Sequence, residues 1–274
     1  MVEAGRLPIM KFNLGRILDL GALGRPMDPS QHAAMVAVQE QVRSAFGWSA
    51  DDDINSSERM RAYVNNLPEA TQLGWDASGR RNTLEGLRDR LLEASQVIMI
   101  GAAIERDDLR RSWPKGTEFV AADGAVGACL GLVEPLCVVT DLDGGVHLEQ
   151  AVTQRIPMVV HGHGDNEFRW RHYLKVWSQE EGLPLVLTHQ TERMYDDMHN
   201  PGGFTDGDRG VCFVAWLGIP IENIRLLGYA EDRVGTWSGV TNPERKLAKL
   251  AWMAKVLDAV LPNWKNQEFP PSNG

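Results

Sequence analysis

Between residues 95 and 227, short apolar runs recur, and most are followed at once by a polar cluster. The runs lie at 97–100, 118–121, 136–139, 157–160, 185–187 and 224–227. Several are continuous in Val, Ile and Leu. Such runs suit strands covered on both faces, as in a parallel sheet held between layers of helix. Pro184, just ahead of the run at 185, is compatible with a strand only at its start. Helix-like stretches separate the runs. The chain is therefore expected to form an α/β fold with a mostly parallel, Rossmann-like sheet flanked by helices.

No strand pattern precedes residue 95. Leu84, Leu87, Leu91 and Leu92 follow the i, i+3, i+7, i+8 spacing of one buried helix face. Residues 31–93 are thus expected as a small helical subdomain, interrupted near Pro68 and Gly74. Residues 1–30 show no period and read as an N-terminal extension, 94–262 as the catalytic domain and 263–274 as a C-terminal tail. A last helix at about 243–261 opens with Pro243 in its first turn. Its Leu247, Leu250, Ala254, Leu257 and Leu261 share a face, which leaves Lys246 and Lys249 on a face expected to be solvated.

Bulk properties narrow the function. With 274 residues and 43% hydrophobic content, a sizeable core is available. A net charge of −9 without a basic run argues against a nucleic-acid partner. No apolar run approaches the ~20 residues of a membrane span, and the N-terminus lacks a signal-peptide pattern. Cys129, Cys137 and Cys212 sit among apolar or small residues without a CxxC pair, and read as buried free thiols of a reducing compartment. A cytoplasmic protein is expected, and homodimer formation is left open. Trp170, Trp177, Trp216 and Trp252 fall at helix-like positions and read as packing residues.

The polar clusters are placed where ligands bind in open parallel sheets, at the carboxyl ends of strands. In order they are Gly101; Asp123-Gly124-Ala125; Thr140-Asp141-Leu142-Asp143-Gly144; His161-Gly162-His163-Gly164-Asp165-Asn166; and Thr188-His189-Gln190. These five are expected to converge on one sheet edge. A sixth, Gly202-Gly203-Phe204-Thr205-Asp206-Gly207-Asp208-Arg209, precedes an apolar run better read as helix than strand. That puts Thr205, Asp206 and Arg209 at a helix N-terminus, where amides and dipole favour anions.

Asp141 and Asp143 offer hard oxygen ligands to Mg²⁺, which is commonly held by one or two carboxylates plus substrate phosphates. His161, His163 and Asp165 admit three readings: imidazole ligands of a hydrolase metal, substrate contacts, or packing around a turn. Arg209 can hold two phosphate oxygens at once, or pair with Asp206 or Asp208. Gly101-Ala102-Ala103 is a weak phosphate-loop candidate. Neither a P-loop nor a G-x-S-x-G elbow is present.

Ala122-Asp123-Gly124-Ala125, Val138-Val139-Thr140-Asp141-Leu142-Asp143-Gly144, His163-Gly164-Asp165-Asn166 and Gly203-Phe204-Thr205-Asp206-Gly207-Asp208-Arg209 occur in this order. Together they resemble the archaeal MptE-like 6-hydroxymethyl-7,8-dihydropterin diphosphokinases, a family distantly similar to thiamine diphosphokinases. The resemblance spans about residues 35–262. It implies transfer of diphosphate from ATP to the dihydropterin hydroxymethyl group, release of AMP, and Mg²⁺ as cofactor, in folate or tetrahydromethanopterin synthesis. It implies that Asp141 and Asp143 hold magnesium, with Asp165, Asn166, Asp206 and Arg209 completing the metal and phosphate shell. Asp123 would bind metal or substrate, and an Asp or His163 would take the hydroxyl proton. Gly101, Gly124, Thr188, Gln190, Gly203, Phe204, Thr205, Gly207 and Asp208 would contact substrate or nucleotide. Where the family usually has a Gly-x-Gly-Pro-Ser-like turn, this chain has Gly101-Ala102-Ala103-Ile104-Glu105. A thiamine-type acceptor and a hydrolase built on His161, His163 and Asp165 are the alternatives.

Overall fold

The computed structural model describes residues 28–239 and 242–269. The expected N-terminal extension, apart from residues 28–30, lies outside the described residues, as does the end of the tail. The chain opens with helices α1 (Pro29–Phe46), α2 (Ala50–Asn65), the single turn α3 (Ala70–Leu73) and α4 (Ala77–Glu93). Each long helix starts on a side-chain cap. Asp28 and Gln31 form a reciprocal box on α1, Ser49 caps α2 beside three first-turn aspartates, and Asp76 accepts from Gly79. These caps satisfy amides that have no partner within the helix.

From residue 96 strands and helices alternate: β1 (Gln96–Ile100), β2 (Thr117–Ala122), α5 (Val126–Cys129), β3 (Cys137–Thr140), α6 (Val146–Thr153), β4 (Met158–Gly162), α7 (Glu167–Trp177), β5 (Leu185–His189), α8 (Asp206–Trp216), β6 (Ile224–Leu227) and α9 (Pro243–Val260). All six expected strands are present, and the run at 211–217 is helical, as read. The sheet is wholly parallel in the order β5-β4-β3-β2-β1-β6. Pro184 stands just before β5, and its carbonyl accepts from Met158.

Alternation along each strand builds two cores, because successive side chains point to opposite faces. Ile98, Ile100, Ala121, Val138, Val160 and Leu187 face one layer, with Met60 and Val64 of α2, Leu148 of α6 and Trp170 of α7. Val97, Met99, Val120, Val139, Val159 and Val186 face the other, with Leu87 and Leu91 of α4, the apolar face of α8, and Leu250 and Leu257 of α9. Full burial of each such side chain contributes about 1.5–3 kcal/mol. The three cysteines are free and buried, and Trp170 and Trp177 are core residues.

The N-terminal helices extend these layers. α2 packs on α7, β4 and β5, α4 packs on β5, and α1 meets α9. The fully buried Arg80 of α4 pairs with Asp197, which lies between β5 and α8 and also accepts from Arg61 and Asn65 of α2. No helix among the described residues is long and apolar enough to cross a membrane.

Four connections carry the chain from β1 to β5 in one direction, and α8 returns it to β6 beside β1. The strand order thus reverses between β1 and β6. Such a reversal at the carboxyl edge of a sheet is where ligand clefts form. Gly101 donates to Leu227 and Ala103 to Gly228 across it. Gly228 has φ +74°, and a Cβ there would meet the Ile104 backbone at 2.5 Å, so only glycine fits this floor.

Candidate active site

Four carboxylates converge at the carboxyl edge. Asp123 follows β2, Asp141 and Asp143 follow β3, and Asp206 begins α8. One oxygen from each lies within 4.8 Å of all the others, the one such group of potential metal ligands among the described residues. The backbone is bent to bring them together. Asp123 has φ +48° and Leu142, between the two aspartates of the D-x-D, has φ +75°. Left-handed conformations in non-glycine residues store strain that the surroundings must hold. Thr140 does much of the holding. Its hydroxyl donates to Asp123 at 2.5 Å and accepts from the Leu142 amide at 2.7 Å.

Like charges this close disfavour full ionisation. Burial, then the charges of Asp143 and Asp206, pushes the Asp123 carboxyl well above its ordinary range. Burial and the charge of Asp141 push Asp206 up to about 7, although Arg209 acts in the opposite sense. Asp141 differs. Burial opposes its charge, but the His163 hydrogen bond and the charges of His163, Lys249 and Arg209 hold it below the usual carboxylate range. Its Oδ1 is buried without a partner. An unsatisfied carboxylate oxygen beside three further carboxylates fits a hard divalent cation, which takes oxygen ligands and offsets their repulsion.

His163 bridges Asp141 Oδ2 at 3.3 Å and Asp165 Oδ1 at 2.7 Å. Burial lowers its pKa, yet the bonds to Asp141 and Asp165 raise it to about 9. Its bonds to two carboxylates thus favour the imidazolium form. Asp165 is brought down to about 2 by the His163 hydrogen bond. It stands outside the four-carboxylate group, half exposed, and also faces Arg245 at 3.4 Å.

The other sequence candidates divide into cleft residues and supports. Gly101, Asp123, Gly124, Asp143, Thr205, Asp206 and Gly207 line one cleft, together with Ala103, Tyr229, Arg233, Trp237 and Lys246. Asn166 is fully buried and acts as a latch, donating to the Asp141 and His161 carbonyls and accepting from the His163 amide. Asp208 is also fully buried and caps α8, accepting from Phe204, Thr205 and the Thr205 hydroxyl. Gly203, at φ +80°, packs against the Arg209 backbone.

Arg209 points inward. It pairs with Asp206 at 2.8 Å and donates to the Phe204 carbonyl. This is the Asp206 pair left open by the sequence, but in a buried rather than a surface setting. Thr188 and Gln190 line neither side of the acidic group; they flank His161 at 3.1 and 3.3 Å, and Gln190 donates to Asp53. His161 is fully buried with both ring nitrogens so placed, and it is kept uncharged by burial and by the charge of Arg209. The H-x-H run therefore does not converge on a single ion.

Two residues escape the sequence reading. Lys246 lines the cleft, and Lys249 stands near Asp141 and Asp165 and within 5.8 Å of the Phe204 ring. Their spacing of one helical turn from the α9 apolar face was visible. What the pattern did not carry is that α9 runs past the sheet edge, so its polar face looks onto the acidic group.

Fold and site together define a doubly wound α/β protein with an acidic, glycine-lined cleft at its strand-order reversal. No protein-family model matches the chain. Among curated proteins it is similar to the 6-hydroxymethyl-7,8-dihydropterin pyrophosphokinase of Pyrococcus furiosus, 33% identical over 202 residues, covering 73% of this chain and 78% of that one. The protein of the same name from Methanothermobacter thermautotrophicus is 34% identical over 179 residues, covering 60% and 73%. That from Methanocaldococcus jannaschii is 29% identical over 187 residues, covering 64% and 70%. The chain belongs to the 6-hydroxymethyl-7,8-dihydropterin pyrophosphokinase family, a family of pyrophosphotransferases.

Proposed function

We propose that this chain transfers the β,γ-diphosphate of ATP to the hydroxyl of 6-hydroxymethyl-7,8-dihydropterin, with Mg²⁺ as cofactor. The observation that carries the reading is the meeting of Asp123, Asp141, Asp143 and Asp206 within 4.8 Å at the carboxyl edge of the sheet. These four residues would hold the ion, with Asp123 in the place that the sequence reading gave to Asp165. When bound, Mg²⁺ supplies positive charge that neutralises the triphosphate.

The chain's own groups do the positioning on which phosphoryl transfer mainly depends. Gly101, Gly124 and Gly207 present backbone to the cleft, where a polyphosphate can approach closely. The N-terminus of α8 directs its amides and positive dipole end to the same place. Lys246 and Lys249 add charge from α9. The acceptor oxygen attacks the β-phosphorus, the bond from that phosphorus to the bridging α-phosphate oxygen breaks, and AMP leaves. The hydroxyl proton passes to a carboxylate of the acidic group as the new bond forms, because His163 between Asp141 and Asp165 already carries one. Protonated His163, fixed between Asp141 and Asp165, orients Asp141 and offers positive charge beside the transferring group. In this reading residues 94–262 are the catalytic unit, and the helices of 31–93 complete its walls.

The test is incubation of the purified chain with ATP, Mg²⁺ and a panel of heterocyclic alcohols that includes the dihydropterin and thiamine, with AMP separated by chromatography. AMP and pterin diphosphate in equal amounts, dependent on Mg²⁺, are expected. AMP with thiamine alone would reassign the acceptor, and phosphate release without any acceptor would favour hydrolysis.

A further inference from the structure

The acidic group has a second cleft on its other flank. Gly47, Trp48, Ser49, Asp52, His163 and Asp165 line it, and it encloses about 210 Å³. It meets the reaction centre through His163, which bonds Asp141. The first cleft reaches the same centre through Asp123, Asp143 and Asp206. A reaction with two substrates needs two such approaches.

The clefts differ in chemistry. The first is lined by Arg233, Lys246 and glycine backbone, a lining for phosphates. No Lys or Arg lines the second, which carries the carboxylates of Asp52, Asp53 and Asp165. Asp53 pairs with Arg43, and Asp165 with His163 and Arg245, so Asp52 is the carboxylate left to disfavour a triphosphate there. The second also has a flat apolar wall. Trp48 stacks on Phe46 with ring centroids 4.8 Å apart and 20° between planes, and Phe204 closes the corner at 6.0 Å. Arg245 and Lys249 approach the Trp48 ring to 5.6 and 5.7 Å, as cations do over an electron-rich face. Phe46 already stacks on this ring, so an entering heterocycle has to displace the half-exposed Arg245 and share the ring with Lys249.

Asp53 is already satisfied, accepting from Arg43, Gln190 and the Gly164 amide. Asp52 is exposed, and no such contact occupies its carboxylate. Gly164 draws the two walls together, since a Cβ there would meet the Asp52 Cβ at 2.8 Å.

We infer that this second cleft is the acceptor site: the heterocycle lies against Trp48 with its amino-pyrimidinone N–H groups donated to Asp52 and its hydroxymethyl group directed at His163. A flat ring gains from an aromatic wall, and a carboxylate accepts two parallel N–H donors. The assignment rests on the proposed diphosphate transfer.

Steady-state kinetics with ATP and the dihydropterin test it on the wild type, W48A, W48F and D52N. Acceptor KM is expected to rise about tenfold or more in W48A and D52N, with ATP KM within about twofold. W48F, which restores a flat ring, is expected to keep acceptor KM within about threefold of the wild type. An unchanged acceptor KM in D52N, or a rise in ATP KM instead, overturns the assignment. If W48A does not fold, D52N decides alone, because Asp52 is exposed in the first turn of α2. A wild type that makes no AMP with the dihydropterin overturns the functional reading. An active wild type with the wrong KM pattern overturns only the placement of the acceptor.

Discussion

Thr140 donates its hydroxyl proton to Asp123 at 2.5 Å, and so ties the end of β3 to the turn after β2. The same oxygen accepts from Leu142, whose φ of +75° turns the chain between Asp141 and Asp143. One hydroxyl therefore supports both halves of the acidic group. Thr140→Val keeps the shape and removes the bonds. It is expected to cost about 1–3 kcal/mol, because a buried amide and carboxylate lose their partner. Chemical denaturation measures the loss, and Mg²⁺ titration should show weaker binding in the same variant.

Asp206→Asn should have the opposite effect on the metal-free fold. Burial and the charge of Asp141 push Asp206 up to about 7, so the folded chain disfavours its ionised form. Without metal at mildly alkaline pH, the variant is expected to be more stable by at least about 1 kcal/mol. Added Mg²⁺ should raise the parent's Tm more than the variant's. Calorimetry with and without the ion reads both effects.

The two lysines of α9 should separate by kinetics. Lys246 lines the glycine-rich cleft, whereas Lys249 stands beside Asp141 and the Phe204 ring. Lys246→Met is expected to raise ATP KM about tenfold, and Lys249→Met to lower kcat by about the same factor. Both are only partly buried, so melting temperatures should move little.

Buried histidines set the acid limit. Burial holds His161 well below its ordinary value, and burial with the charge of His199 brings His189 to about 3. Unfolding returns each to 6.5, where the unfolded chain takes up protons that the folded chain refuses. Their contribution is full above pH 6.5 and is lost as pH falls towards 3. Inside that window each costs about 1.4 kcal/mol per pH unit. His163, raised to about 9, has the reverse sign and acts above 6.5, so the windows do not overlap. Asp206, raised to about 7, has the opposite sign over the same range, so the comparison between proteins is what reads the histidine: from pH 6.5 downward the urea midpoint of the parent should fall relative to that of His189→Asn.

What the sequence revealed was set by local pattern. Short apolar runs, several of them continuous, located all six strands because a parallel sheet is buried on both faces. The polar clusters behind them located the site edge because each strand must end there. Asp165 and Asn166 mark the limit. They follow β4 as Asp141 and Asp143 follow β3, but in the fold Asn166 latches the Asp141 carbonyl and Asp165 pairs with His163. Asp123 instead joins Asp141, Asp143 and Asp206 through its left-handed turn. Lys246 and Lys249 were hidden for a related reason. A polar helix face has the same spacing whether it meets water or a ring of carboxylates, and only tertiary packing decides between them.

The central claim is that the carboxylate group drives diphosphate transfer, and Asp141→Asn addresses it most directly. AMP formation from ATP and the dihydropterin is followed with wild type and variant at equal, saturating Mg²⁺, alongside their melting curves. The variant is expected to lose about 100-fold or more in turnover while keeping a cooperative melting transition. Turnover within a fewfold of wild type in the folded variant would contradict the account.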